Sequence, residues 1–330
     1  NMNKEIKALT GIRGVFAVYV MFYHINPMGW TSDFIRNGYL AVDLFFVLSG
    51  FIMCYVYKEK FINKVGENDY MKFLYNRFTR IYPLYFFAVS MVFIFFTSKT
   101  DQARSFYTYI CNIMFAQSVT GNGIIEPAWS LSTEVIAYLL FPFILSLSFK
   151  YKQVYAALVY ASLCALCFIS LKSAKIDIYD GPLAIVRCLS EYVIGVLSFR
   201  FYEFIKLKGI STSFLTDALS VTAIFILSFK GLDIVAVILF AFLIASLASS
   251  KSITSIFLSS SIIYYSGLLS YSIYIWHGVF SRNLSWQVRQ ISESAGVSHL
   301  WMSIVLTLIA SVITYHLLEK PIHYFLKKLA

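Results

Sequence analysis

Residues 235–247 read VAVILFAFLIASL, a run with one hydroxyl and no charge. A strand of a membrane barrel would alternate polar and apolar residues, and this run does not alternate. A continuous apolar run of that kind belongs in a helix, because lipid offers no partner for an unpaired backbone group. The chain around it has the same character. Of its 330 residues, 59% are hydrophobic, 18% aromatic and 13% charged, and the mean hydropathy is +0.71. Soluble domains carry roughly 25% charged residues, so about half the expected charge is missing. This composition excludes a disordered chain, a secreted disulfide scaffold and an ordinary cytosolic enzyme. The fold class read from it is all-α, a polytopic membrane helical bundle forming one domain over residues 1–330.

At ~20 residues per span, the length accommodates about ten transmembrane helices. Apolar segments lie near 8–26, 38–57, 81–98, 129–149, 153–171, 182–200, 214–229, 233–250, 262–281 and 299–318. The segment 106–118 is apolar but short, and loop charge decides its status. Ten spans with both termini cytoplasmic place seventeen basic residues inside against eight outside, with Arg13 and Arg187 within spans. Counting 106–118 as an eleventh span would put Lys320, Lys327 and Lys328 outside, against the positive-inside rule. The segment is therefore expected to be re-entrant or interfacial. The longest inside loop, about 58–80, is also the most basic.

The formal net charge is +10. In short loops such an excess serves membrane orientation and contact with anionic lipid rather than nucleic acid. Five cysteines lie in or beside apolar runs, and Cys164 and Cys167 read as inert packing residues. Asn1 ahead of Met2 reads as an appended residue, and Lys4 and Lys7 precede a retained first span rather than a cleaved signal.

An ionisable side chain within a span costs about 3 kcal/mol or more and normally faces a cavity or a partner. The first span carries two, Arg13 and His24, in LTGIRGVFAVYVMFYH. Eleven residues correspond to ~16 Å along a helix and a net turn of ~20°, so both point the same way. A snorkelling arginine and an interfacial histidine are each ordinary alone; two on one face suggest a site. Asp43 in GYLAVDLFFVLSGF falls level with His24 and is placed to orient an imidazole. In NRFTRIYP, Arg77 and Arg80 share a helix face and make a phosphate clamp, just before the helix-start or kink signal of Pro83. Ser130 and Glu134 in PAWSLSTEV share a face, as do Ser270, Tyr274 and His277 in SYSIYIWHG. Arg187 and Glu191, four apart, form a candidate intramembrane pair. His316 and Glu319 read as a helix terminus ahead of Pro321.

His24, Asp43, Glu134 and His277 are all expected near the outer side, and Arg77 and Arg80 near the inner side. Together these stretches resemble the membrane-bound acyltransferase-3 family of bacterial O-acyltransferases. The likeness is carried by the Arg13/His24 pair, DLFFVLSGF at 43–51, Arg77 and Arg80 in RFTRIYP, WSLSTE at 129–134, SYSIYIWH at 270–277 and EKP at 319–321. It spans almost the whole chain, and a stand-alone membrane unit is expected, without the esterase-like domain that some relatives append. The resemblance implies acetyl-CoA or another acyl-CoA as donor and co-substrate, and no metal. It implies a carbohydrate or lipid-linked glycan of the cell envelope as acceptor, and the bacterial cytoplasmic (inner) membrane as location. Arg13, His24, Arg77, Arg80, Ser130 and Glu134 match its motif positions. Membrane lipids are the remaining expected partners, nucleic acid is not one, and a homo-oligomer is left open.

On this reading Arg77 and Arg80 hold the phosphates, with Arg13 along the donor's path. His24 acts as general base, since an ordinary imidazole pKa of ~6.5 suits neutral pH. Asp43 or Glu134 would hold its tautomer. Ser130, Tyr274, Arg13 and His277 are the candidates for substrate contact or oxyanion stabilisation. A covalent acyl intermediate is left open. The competing class is a transporter or flippase for lipid-linked sugars, whose signature would be repeated halves or corresponding broken helices. The sequence displays neither.

Overall fold

The computed structural model describes residues 5–96 and 102–329. Asn1, Met2, Lys4 and Lys99, used above for the N-terminal and loop-charge readings, lie outside the described residues. Among the described residues every regular element is helical. The first are α1 (Lys7–Ile25), α2 (Asp33–Arg36), α3 (Leu40–Phe61), α4 (Glu67–Phe96), α5 (Gln102–Ile113) and α6 (Gln117–Thr120). Next come α7 (Trp129–Lys150), α8 (Lys152–Ser173), α9 (Gly181–Lys208), α10 (Ser213–Leu227) and α11 (Asp233–Ser249). The last are α12 (Ile253–Leu258), α13 (Ser261–Leu268), α14 (Ser270–Gly278), α15 (Ser285–Ala295), α16 (His299–Thr314) and α17 (Lys320–Leu329). Among the described residues, seven helical stretches are long and apolar enough to cross a membrane, and α10 and α11 are shorter apolar helices. The chain is a multi-pass membrane protein.

Small residues set the two crossings that matter for the site. A Cβ on Gly195 of α9 would stand 2.3 Å from the Val47 carbonyl, and one on Gly50 of α3 would stand 2.4 Å from that of Tyr192. The two backbones touch there, as glycine permits between membrane helices. Two turns earlier on both helices, Asp43 meets Arg187. The contacts advance together along the two chains, so α3 and α9 run parallel. The second crossing is built the same way. A Cβ on Gly14 of α1 would lie 2.5 Å from the Gly267 nitrogen of α13.

That contact goes with a departure from expectation. The segment 262–281 is not one helix; it breaks at Leu269 into α13 and α14 and ends in a π-helical turn, Val279–Asn283. With α13 flush against α1, α14 carries His277 to the C-terminal end of α1, beside His24.

Three other expectations change. The loop expected over 58–80 is largely helix, since α4 begins at Glu67 and runs through Pro83 without restarting. Its apolar face is the reason: Phe73 is fully buried, with ring centroids 4.9 Å from Tyr57 and 5.7 Å from Phe61. The segment 106–118 divides at Phe115, whose φ of 55° turns the chain between α5 and α6. α5, with 12 residues, is about 18 Å long, short of a ~30 Å hydrocarbon core. The helix does not terminate at Glu319. A π-helical turn, Tyr315–Glu319, joins α16 to α17 and carries the chain past Pro321, with Ser272 donating to Glu319.

The lipid-facing surface is apolar, as on α8, where Phe168 and Leu171 are exposed. Cys164 and Cys167 are exposed on the same helix, and all five cysteines are free thiols.

Candidate active site

Two cavities lie along α1, one at Arg13 and the other at His24. The first, of about 110 Å³, contains Arg13 from α1, Arg77 and Arg80 from α4, Ser49 from α3, Ser130, Glu134 and Tyr138 from α7, and Ser270 and Tyr274 from α14. The three-residue spacing of Arg77 and Arg80 puts both on the cavity face because α4 is continuous here. Arg77 Nη2 donates to the Tyr57 hydroxyl at 3.2 Å, and its guanidinium lies over that ring at 5.4 Å. Among the described residues, no carboxylate oxygen lies within 4.0 Å of Arg13 or Arg80. Glu134 is the cavity's acid, and its Oε1 accepts from Ser49 Oγ and the Tyr192 hydroxyl, each at 2.9 Å. Three guanidiniums against one carboxylate leave this cavity positive.

The second cavity, of about 270 Å³, is walled by Tyr23, His24, Tyr39, Trp129, Tyr179 and Tyr274, with Glu126, Asp177 and Arg282. Arg282 Nε donates to Glu126 at 2.8 Å. Apart from His24 and Tyr274, sequence reasoning missed these lining residues, because tyrosine and tryptophan near helix ends are common in any membrane protein.

Val42 and Tyr274 line both cavities. The Tyr274 hydroxyl donates to the Pro127 carbonyl at 2.6 Å and lies 2.8 Å from Ser130 Oγ. A carbonyl only accepts, so the tyrosine proton is used there and Ser130 donates to Tyr274 or, at 3.3 Å, to Pro127 itself. Two of the oxyanion candidates, Ser130 and Tyr274, are thus tied into the wall.

His24 is half-buried and lines the second cavity. Its Nδ1 lies 3.0 Å from the Val20 carbonyl and 3.3 Å from His277 Nε2. The expectation that Asp43 or Glu134 orients His24 gives way to this arrangement. Asp43 is fully buried against Arg187, with Nε to Oδ1 at 2.8 Å and Nη2 to Oδ2 at 2.7 Å. Glu134 belongs to the arginine cavity. The Arg187–Glu191 pair is present at 3.7 Å, but the closer partner of Arg187 is Asp43. His277, expected as a substrate or oxyanion candidate, is 0% exposed and lines neither cavity. Tyr138, four residues after Glu134, was within reach of the helical spacing and was not singled out.

The sequence profile described as acyltransferase domain matches residues 6–316. The chain belongs to that acyltransferase family. Within it, the chain is 24% identical over 360 aligned positions to the putative peptidoglycan O-acetyltransferase YrhL of Bacillus subtilis, covering 97% of this chain and 55% of that protein. It is 25% identical over 361 positions to the O-acetyltransferase OatA of Staphylococcus aureus, covering 97% of this chain and 57% of that one. "Protein 2 in picA locus" of Rhizobium radiobacter is 30% identical over 149 residues, covering 39% of this chain and 76% of that protein. The chain spans just over half the length of the two O-acetyltransferases it matches. No solved structure gives a significant match.

Proposed function

We propose that the chain is a single membrane domain that transfers an acyl group, acetyl first among them, from acyl-CoA to a hydroxyl of a cell-envelope or exported carbohydrate. The observation that carries this reading is the pair of cavities sharing Val42 and Tyr274, with arginines in one and His24 in the other. The arginine cavity suits the donor. Guanidiniums without a bound carboxylate keep their N–H groups available for phosphate oxygens. Arg77 and Arg80 take the phosphates, and Arg13 lines the path of the pantetheine arm.

The histidine cavity suits the acceptor. Its aromatic rings offer apolar faces to a sugar ring with polar edges beside them, and Glu126 and Asp177 are acceptors for sugar hydroxyls. The names of YrhL and OatA favour acetyl as the group and a glycan as acceptor. His24 takes the hydroxyl proton while the hydroxyl oxygen bonds to the thioester carbonyl carbon and the carbonyl pair moves onto its oxygen. Collapse of that intermediate expels the CoA thiolate, which takes the proton back from His24. Arg13 lies ~16 Å from His24 along α1, too far to serve this oxyanion. Tyr274, at the shared wall, is the donor placed for it, once it releases Pro127.

The donor side is the cytoplasmic face of the bacterial inner membrane in this reading, with ten spans and both termini inside. The parallel run of α3 and α9 supports that count. An extra span at 106–118 would reverse α9 relative to α3.

The test is direct. Purified protein in nanodiscs, given radiolabelled acetyl-CoA and peptidoglycan glycan strands, should move label into the glycan as an alkali-labile ester. Folded protein that binds acetyl-CoA but labels no glycan would refute the reading.

A further inference from the structure

The site holds a second imidazole that the reaction above does not use. His277 is 0% exposed, at the end of α14 and against the C-terminal end of α1. Its Nδ1 lies 3.1 Å from the Ile273 carbonyl, one turn back in its own helix. Its Nε2 lies 3.3 Å from His24 Nδ1, and the ring centroids are 5.0 Å apart.

Backbone carbonyls settle where the protons sit, because a carbonyl only accepts. Ile273 therefore requires a proton on His277 Nδ1, which leaves Nε2 of the neutral ring as a pure acceptor. Val20 likewise requires a proton on His24 Nδ1. That proton is shared between the Val20 carbonyl and His277 Nε2. The lone pair of neutral His24 is then on Nε2, for which no partner exists among the described residues.

We infer that His277 is the positioning residue of His24, accepting its Nδ1–H and holding the tautomer whose Nε2 lone pair serves the histidine cavity. This rests on the acyl-transfer reading, and it gives the orienting task to a neutral ring rather than to Asp43 or Glu134. Fixing the tautomer is what the orienting member of a hydrolytic triad does. The charged groups sharing the cavity are Glu126, Asp177 and Arg282, with Tyr23 packed on His24 and Tyr274 on His277. Among the described residues none of these carboxylates bonds either ring. The proton that His24 Nε2 gains therefore stays on His24. Passing the Nδ1 proton onward would put an imidazolium at a fully buried position with no acid bonded to it, a costly state.

Two variants and one spectroscopic measurement test the inference. His277→Gln places an amide oxygen where Nε2 stood and keeps an acceptor; His277→Phe fills the space without one. With acetyl-CoA and peptidoglycan glycan strands, His277→Phe should lose kcat by ~10- to 100-fold, the scale seen when the hydrogen-bond partner of a metal-bound histidine is removed. KM for both substrates should hold, and His277→Gln should recover much of kcat. Independently of turnover, ¹⁵N NMR of histidine-labelled protein should show the Nδ1–H tautomer at His24, its signal identified by loss in His24→Gln. The signal should persist in His277→Gln and become a mixture in His277→Phe. A wild-type His24 protonated on Nε2, or a His277→Phe protein with normal kcat, overturns the inference, and the wild-type spectrum decides even if His277→Phe does not fold. Wild-type protein with the Nδ1–H signature but no acetyl transfer overturns the acyl-transfer reading instead.

Discussion

Asp43 and Arg187, 144 residues apart, form a two-bond ion pair of 2.8 and 2.7 Å in which neither side chain reaches the surface. Glu191 stands 3.7 Å from the same guanidinium, fully buried, and neither of its oxygens has a hydrogen-bond partner among the described residues. The pair clamps α3 to α9 two turns from their glycine crossing, a geometry that favours a structural role for Asp43. Removing one partner of a buried pair leaves an uncompensated charge and costs ~3–5 kcal/mol. Asp43→Asn should lower folded yield and thermal stability in detergent, while the surviving folded fraction keeps most of its turnover. The double variant Asp43→Leu/Arg187→Met should recover stability, since well-packed apolar residues often replace such pairs without loss. A stable Asp43→Asn protein with no turnover would return Asp43 to the chemistry.

Among the described residues Arg13, Arg77 and Arg80 have no close carboxylate, and Arg77, whose Nη2 donates to the Tyr57 hydroxyl, keeps an unpartnered Nε. Donors on all three arginines are therefore available to a ligand anion. Hydrogen bonds to charged groups are worth ~1.5–3 kcal/mol, or about 10- to 150-fold in affinity. Arg80→Ala and Arg13→Ala should each weaken acetyl-CoA binding by that order, read by isothermal titration on purified protein. Dephospho-CoA should lose affinity to wild type and much less to the variant whose guanidinium meets the missing phosphate. Unchanged titrations in both variants would leave these residues as anchors of membrane orientation.

His24 carries the chemistry in this reading. General-base catalysis contributes ~10²–10⁴-fold, so His24→Ala should lose transfer by about that factor while acetyl-CoA binding is retained. Binding should survive because the arginines line a different cavity. His24→Gln keeps size and polarity without basicity and should be nearly as poor. A folded His24→Gln protein with wild-type turnover would make the histidine structural.

The parts of the site legible in the sequence are those fixed within one helix. Arg13 and His24 face cavities on one side of α1 because eleven residues nearly close three turns. Arg77 with Arg80, and Ser270 with Tyr274, line the cavity that their three- and four-residue spacings imply. The same rule failed at His277, seven positions after Ser270, because α14 turns that side chain toward α1 rather than into either cavity. Relations between helices were not legible. Asp43 and Glu134 were placed level with His24 by hydropathy alone, which cannot register the tilt and offset of one helix against another. Asp43 is drawn to Arg187 by the α3–α9 crossing, and that crossing depends on Gly50 and Gly195, whose packing partner no local pattern names. Amphipathic α4 was hidden for a related reason. Its basic residues outweighed its apolar face in a hydropathy window, and only contact with Tyr57 and Phe61 explains why it is helical from Glu67.

Loop charge, and the parallel pairing of α3 with α9 and of α1 with α14, support the proposed ten spans with cytoplasmic termini. Each parallel pair requires an even number of reversals between its members. Reporter fusions after Lys152 and at the C-terminus should both read as cytoplasmic, and one after Lys230 as periplasmic. A periplasmic signal at the C-terminus would remove the ten-span count and with it the assignment of the arginine cavity to the cytoplasmic face.

Val42 offers a way to separate donor binding from transfer without touching an ionisable group. It is a small buried residue of α3, and with Tyr274 it forms the wall common to both cavities. Any acyl group moving from the arginines to His24 has to pass that wall. Val42→Trp adds a large ring at the passage and leaves the arginines and both imidazoles in place. Overpacking costs ~1–3 kcal/mol, so thermal unfolding in nanodiscs must first confirm a folded protein. Transfer of acetyl to glycan should then fall at least roughly 10-fold, as for a misplacement of reacting groups, while acetyl-CoA affinity stays near wild type. Val42→Ala should retain transfer, since it widens the passage. If folded Val42→Trp transfers normally, the acyl group does not travel between the two cavities, and donor and acceptor must meet elsewhere in the bundle.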